Sequence, residues 1–235
     1  VGGTKNKYLR SAIAKAIDKS QISEVIYQGV RKPASGLLPP GIPGFKSGQG
    51  LTDSRDLAGA KADYKKWLAL GNKTPSPIRL SYNDGAGWDK VASIIVANLK
   101  DVGIPAKLDP FAADGTYFSK MRSGKGQIIR GGWFADYPIA DNFLYPLLHS
   151  KTIDGDNLER YNSKAFDALV DSARSSTNKS FAQSQYRRAE VQALKTDVVM
   201  VPTVNRGVAV VLASSTSTFP ITPLGMIVYD QIVKN

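Results

Sequence analysis

The sequence has no cysteine and a single histidine. The missing thiols exclude a disulfide scaffold, a thiolate zinc site and a cysteine nucleophile, and a cysteine-free chain suits an exported bacterial protein. Long apolar runs are also absent. The longest, Val208–Ala213, falls far short of the ~20 residues that span a bilayer. The glycines at 124–132 are followed by no Gly-Lys-Ser/Thr, so they form no phosphate loop. His149 follows Pro146-Leu147-Leu148 with no serine in a nucleophile elbow, which leaves a hydrolytic triad without support. Asp154-Gly155-Asp156-Asn157 begins like a calcium loop but lacks the closing glutamate. The expectation is a protein that is not an enzyme, with no catalytic residue, no metal and no cofactor.

What is present is ordinary for a globular chain. The 235 residues, 42% hydrophobic and 22% charged, fit one large domain or two small ones. The formal net charge is +11 and uneven: residues 1–75 hold 13 Lys/Arg against 5 Asp/Glu, and the remainder 18 against 15. A basic balance permits nucleic acid as a partner. The basic residues are scattered singly, however, and the tightest cluster, Lys61, Lys65 and Lys66, falls on one helical face. No nucleic-acid partner is expected. Val1-Gly2-Gly3-Thr4 leads directly into an amphipathic helix with no apolar signal core, the pattern of a chain entered partway.

Periodicity divides the chain. Leu9, Ile13, Ala16 and Ile17 recur at helical spacing, and Ile22, Val25 and Ile26 repeat the pattern in a second helix. Residues 29–50 are punctuated by ten Gly and Pro, which dictates a long irregular loop. Its Leu37, Leu38, Ile42 and Phe45 predict that it packs on the domain. Helices follow at 53–70, Trp88–Val102, Thr116–Arg122, Ala165–Ser175 and Lys179–Thr196. Strands are predicted at Pro77–Tyr82, Ile104–Asp109, Gln127–Trp133, Val198–Val204 and Val208–Ala213. Alternation of strand and helix between 77 and 133 implies crossover units and an α/β fold with a mostly parallel sheet.

The densest chemistry lies in Ile128-Ile129-Arg130-Gly131-Gly132-Trp133-Phe134-Ala135-Asp136-Tyr137-Pro138. A strand ends in paired glycines and delivers Arg, Trp, Asp and Tyr within eight residues. Ligands of open α/β sheets sit at strand ends, and glycine there admits another backbone. Arg130 can grip a carboxylate with two parallel bonds, and Asp136 can pair with an ammonium. Trp133 and Tyr137 offer flat apolar walls. The set suits a zwitterion such as a peptide added to the sheet edge. The same residues equally suit an internal Arg130–Asp136 ion pair with Trp133 in the core.

Three segments carry a resemblance. Leu9-Arg10-Ser11-Ala12-Ile13-Ala14-Lys15-Ala16-Ile17-Asp18-Lys19 leads to the Pro-rich Leu37-Leu38-Pro39-Pro40-Gly41. Gly132-Trp133-Phe134-Ala135-Asp136-Tyr137-Pro138 precedes Asn142-Phe143-Leu144. Tyr161-Asn162-Ser163, Phe166-Asp167 and Val201-Pro202 follow in order. Together they resemble the C-terminal lobe of ABC-transporter extracellular solute-binding proteins of the peptide/nickel class, family 5. The resemblance implies one lobe of a type II periplasmic-binding-protein-like fold. Residues 1–215 would be the ligand-binding lobe, and 216–235 a tail returning to a first lobe that this chain mostly lacks. The implied partners are a peptide or other small solute, an ABC permease in the membrane, and the missing N-terminal lobe. The implied location is extracytoplasmic, periplasmic or anchored at the cell surface as a lipoprotein. Carried over by position, Asp136 would hold a ligand ammonium and Arg130 a carboxylate. Trp133 would line side-chain pockets with Tyr137 beside it, and the backbone of Gly131, Gly132, Trp133 and Phe134 would pair with the ligand. Nickel chelates, sugars and opines are alternative ligands, as are roles in sensing or chaperoning peptides.

Overall fold

The computed structural model describes residues 6–73, 76–112, 114–207, 210–222 and 225–234. Two apolar clusters organise it. In the first, α1 (Lys7–Ala16), α3 (Leu57–Ala69) and α4 (Trp88–Val102) pack with β1 (Ile78–Asn83). Leu9, Ile13, Ile78, Leu80, Ile95 and Leu99 are among its buried residues, and each such side chain contributes about 1.5–3 kcal/mol. In the second, α6 (Asp141–Leu148), α7 (Lys164–Arg174) and α8 (Lys179–Val191) enclose Leu144, Leu148, Phe166 and Val170. Leu38 and Ile42 of the Pro-rich loop complete it, as their apolar character predicts.

The sheet is parallel, with β1 between β2 (Ala106–Phe111) and β3 (Ile128–Ile129). Ile78 faces Ala106 across one ladder, and Leu80 faces Ile128 across the other. The predicted α/β fold with its helix-flanked parallel sheet is therefore the observed one. α4 spans its predicted residues, as does α5 (Thr116–Arg122). The α4 periodicity is unambiguous, and Gly103, at φ 90°, supplies the left-handed C-cap.

Other boundaries moved for local reasons. The Ile104 N–H is taken by the Leu99 carbonyl at the end of α4 and Pro105 has none to give, so the second strand starts two residues late. β3 is much shorter than Gln127–Trp133. Its Arg130 N–H still reaches the Ser81 carbonyl, but Gly131–Trp133 run beyond the ladder. The Gln127 side chain accepts from the Arg79 N–H, standing in for a backbone partner. The second predicted helix is α2 (Lys19–Gln21), continued by a π-turn at Ile22–Ile26. A similar π-turn, Gln192–Thr196, follows α8.

One predicted strand is not formed, and of another only an irregular part falls among the described residues. In Val198–Val204, Val198 sits at φ 50° and Pro202 interrupts the pattern. Only a single bridge, Val204 to Pro33, remains. Of Val208–Ala213, residues 208–209 lie outside the described residues, and 210–213 are irregular with Val211 fully exposed. Conversely, α6 escaped the periodicity reading because Pro146 stands inside it. In the last segment, β4 (Thr216–Thr218) pairs antiparallel with β5 (Val233–Lys234).

The loop between α2 and α3 is fastened by buried side chains. Lys19, 2% exposed, donates through Nζ to the Ala34 and Thr52 carbonyls, both at 2.8 Å. Burial lowers its pKa from 10.5 to about 8, with Asp53 opposing. Glu190 accepts through Oε1 from the Leu37 and Leu38 N–H groups at 2.6 and 3.0 Å. Arg10 reaches the Asp197 carbonyl through Nη2 at 2.6 Å. Lys19→Met strands two carbonyls and is expected to cost about 1–3 kcal/mol in urea denaturation. The unfolded chain binds more protons than the folded one between pH 8 and 10.5 at this group. Its contribution therefore makes stability rise with pH over that window. Lys19→Met should remove that rise, and an unchanged pH profile would show that the tether carries no linkage.

Candidate functional site

The candidate site is built where β1 and β3 end. Arg130 leaves β3 with its carbonyl held by the Tyr117 hydroxyl at 2.6 Å, and that hydroxyl also donates to the Ser81 carbonyl at 3.0 Å. Tyr117 is fully buried, so the two strand ends are pinned to α5 from beneath. The Arg130 guanidinium lies over the Trp88 ring, 3.7 Å from its centroid, and donates from Nη1 to Asn83 Oδ1 at 3.1 Å. Desolvation lowers its pKa. Its Nε is buried without a partner. Gly132 matters here: a Cβ at this position would stand 3.2 Å from Arg130 Nη2.

Beyond the glycines, two neighbouring residues at the start of α6 shape the loop. Asn142, 4% exposed, accepts through Oδ1 from Trp133 Nε1 at 3.2 Å and from the Asp136 N–H at 2.8 Å. Its Nδ2 donates to Asp136 Oδ2 at 3.3 Å. Asp141 accepts the Tyr137 hydroxyl at 3.1 Å, the Tyr186 hydroxyl at 3.1 Å, and the Arg174 Nε at 3.3 Å. One amide and one carboxylate thus fix three residues of the predicted site stretch, Trp133, Asp136 and Tyr137. Trp133 is half-buried against the second cluster. Phe134 is exposed, with the Arg206 guanidinium 4.3 Å from its ring centroid.

Gly131, Gly132, Trp133 and Phe134 line a cavity of about 850 Å³, facing Leu37 and Pro39 of the loop and Met200 to Gly207 opposite. Arg130 and Gly131 border a second cavity of about 650 Å³ with Trp88, Val91 and Ile95. Glu159 lies in the wall common to both, and loss of water pushes its carboxyl up to about 7. Asp136 and Tyr137 line neither of these two cavities and are exposed. Among the described residues no ion pair joins Arg130 to Asp136, so the internal pair that the sequence also allowed is not made. His149 is buried: its Nδ1 accepts from the Lys151 N–H, and Ser150 donates to Asp167 rather than to the imidazole.

The model of bacterial extracellular solute-binding proteins, family 5, middle region, matches residues 2–155. The chain belongs to this family. Among curated family relatives, heme-binding protein A of Haemophilus influenzae is 30% identical over 200 residues, covering 79% of this chain and 34% of that protein. Di/tripeptide-binding protein 1 of Pseudomonas aeruginosa is 26% identical over 223 residues, covering 93% and 40%. Among solved structures, HbpA2 from Haemophilus parasuis superposes with a TM-score of 0.84 at 22% identity, covering 98% of this chain and 45% of that one. The chain thus spans between about a third and just under half the length of these relatives.

Asn83, Trp88 and Asn142 are site residues that sequence reasoning missed. Asn83 read as part of a turn signal and Trp88 as a helix start. Asn142 stood in the matched Asn-Phe-Leu stretch, and only its six-residue offset from Asp136 hinted at a link. Asn142→Ala leaves the Trp133 N–H and the Asp136 N–H without their acceptor. The expected result is much faster amide hydrogen exchange at Asp136 and a loss of about 1–3 kcal/mol. Unchanged protection at Asp136 would show the loop is held by other contacts.

Proposed function

We propose that this chain is the ligand-binding lobe of a receptor that takes up peptides outside the cytoplasm and presents them to an ABC permease. The observation that carries this reading is Asp136. Its carboxylate is exposed on a loop fixed by Asn142, and no cation pairs with it among the described residues. Beside it, Gly131 and Gly132 expose backbone, and nothing stands within 4 Å of a Cβ position at Gly131. An ammonium can settle on the carboxylate while the ligand main chain pairs along the glycines as an added strand. Trp133 and Phe134 flank that path, and Tyr137 stands next to the carboxylate on the same loop. Relatives named for di- and tripeptides support peptides as the ligand class.

On this reading residues 1–215 act as the lobe, and 216–235 return to a first lobe supplied by the rest of the receptor. The receptor works in the periplasm or at the cell surface and performs no chemistry on its ligand. It acts by binding: a peptide touching both lobes favours the closed state by its extra contacts there.

Two measurements test this. Calorimetric titration with a di- to pentapeptide pool should give weak binding to this chain and at least about tenfold tighter binding to a receptor carrying both lobes. Equal affinities would remove the two-lobed mechanism. Asp136→Ala should weaken peptides with a free amine while leaving N-acetylated peptides unaffected. If the variant still discriminates between them as the parent does, Asp136 is not the amine anchor.

A further inference from the structure

Two arginines meet at the Trp88 ring, on the margin of the second cavity. Arg31 lies 4.2 Å from the Tyr27 ring centroid and 5.8 Å from that of Trp88, while Arg130 lies 3.7 Å from the same Trp88 ring. Both guanidinium groups are half-buried. Among the described residues no carboxylate comes within 4 Å of either. Like charges gathered in a partly desolvated corner without a counter-ion repel and are costly. Such an arrangement is relieved by an anion from outside.

The corner is prepared for one. Stacking on Trp88 occupies a face of the Arg130 guanidinium and Asn83 takes Nη1, which leaves the Nε–Nη2 edge without a hydrogen-bond partner among the described residues. On that edge Nε is buried and unpartnered, and Nη2 lies beside Gly132. An arginine grips a carboxylate along its edge, through two parallel N–H bonds. Trp88 also opens the fifteen-residue α4, whose N-cap Gly87 provides no side-chain acceptor for the first turn. A helix N-terminus adds positive potential. Asp89 sits in that first turn, and Asp84 caps the preceding turn through the Gly85 N–H; neither forms an ion pair with the arginines.

We infer that Arg31 and Arg130, layered on Tyr27 and Trp88, form a two-arginine anion subsite that selects solutes carrying paired carboxylates. This deepens the peptide reading and rests on it for the position of the ligand. One carboxylate meets Arg130, and Arg31 meets a second one close by. The chemistry has two sources among molecules named for the relatives: a peptide ending in an acidic residue, or the two propionates of a porphyrin.

The test follows the arginine Nε–Hε resonances of this chain, ¹⁵N-labelled, because such signals report even millimolar binding. The probes are Ala-Ala-Glu against Ala-Ala-Gln, and protoporphyrin IX against its dimethyl ester. Ala-Ala-Glu should bind about tenfold more tightly than Ala-Ala-Gln, the size of one charge-assisted contact. Arg31→Gln should abolish that preference while leaving the Ala-Ala-Gln affinity within about twofold, and Arg31→Lys should retain part of it. If only the free-acid porphyrin is preferred and Arg31→Gln removes that preference, the subsite stands and the peptide reading falls. If Asp136→Ala abolishes peptide binding but the preference for Ala-Ala-Glu survives Arg31→Gln, the peptide reading stands and this subsite is overturned. Equal binding within both probe pairs overturns it as well.

Discussion

Everything in this lobe depends on satisfying the backbone of long segments that belong to no helix or sheet. A buried N–H or carbonyl without a partner is costly, and the loop after α2 and the run after α8 present many. The chain answers with side chains that carry charge. Lys19 takes two carbonyls, Glu190 takes two N–H groups, and Arg10 takes the carbonyls of Asp197 and Val198. The Arg10 grip joins α1 of the first cluster to the run after α8, while Lys19 and Glu190 each fasten the loop on their own side. The Lys19 side of the loop belongs with the first cluster and the Leu37–Leu38 side with the second. Backbone bonds between Ala34 and Thr203, and between Asn205 and Lys32, close the same seam. Both cavities lie along this seam, lined by Ala34, Thr203 and Asn205 on one side and by Arg10, Asp197 and Val198 on the other.

The site is rigid below and open above. Tyr117 locks the strand ends from the α5 side, and Asn142 and Asp141 lock the loop from the α6 side. Between them Gly131 and Gly132 carry no side chain to compete with a ligand. Binding surfaces built this way lose little conformational freedom when occupied. Charge is distributed with the same economy. The carboxylate of Asp136 and the guanidinium of Arg130 stay apart within seven residues of sequence, with no ion pair between them among the described residues.

The strand–helix alternation was legible from residue 77 onward because α4 has an unbroken apolar stripe and a glycine stop, and because Ile78, Leu80 and Tyr82 alternate along β1 before a turn signal. The candidate stretch stood out for a related reason: paired glycines after a strand have few structural uses, and polar and aromatic residues crowd behind them. Where periodicity failed, a competing local force explains it. Val198–Val204 has strand composition, yet positive φ at Val198 and the proline at 202 turn it into the seam. α6 tolerates Pro146 because burial of Phe143, Leu144 and Leu148 outweighs the lost bond. Trp88 meets Arg31 and Arg130 from distant parts of the chain, and Asn142 works at offsets of six and nine residues that match neither helix nor strand period, so no local pattern marks either role.

The bond from Arg10 to Asp197 joins residues 187 apart in sequence. Closing a loop of that size costs entropy that grows only with the logarithm of length, about 0.6 kcal/mol for each doubling. The frame is therefore nearly indifferent to how much chain lies between its fastening points. Insertions in the loop after α2, or in the turns between α6 and α7, leave the seam intact so long as the few gripping residues survive. A lineage built on this frame is free to remodel the walls that meet the solute and diverge widely in what it carries, while changing almost nothing in how it is held together.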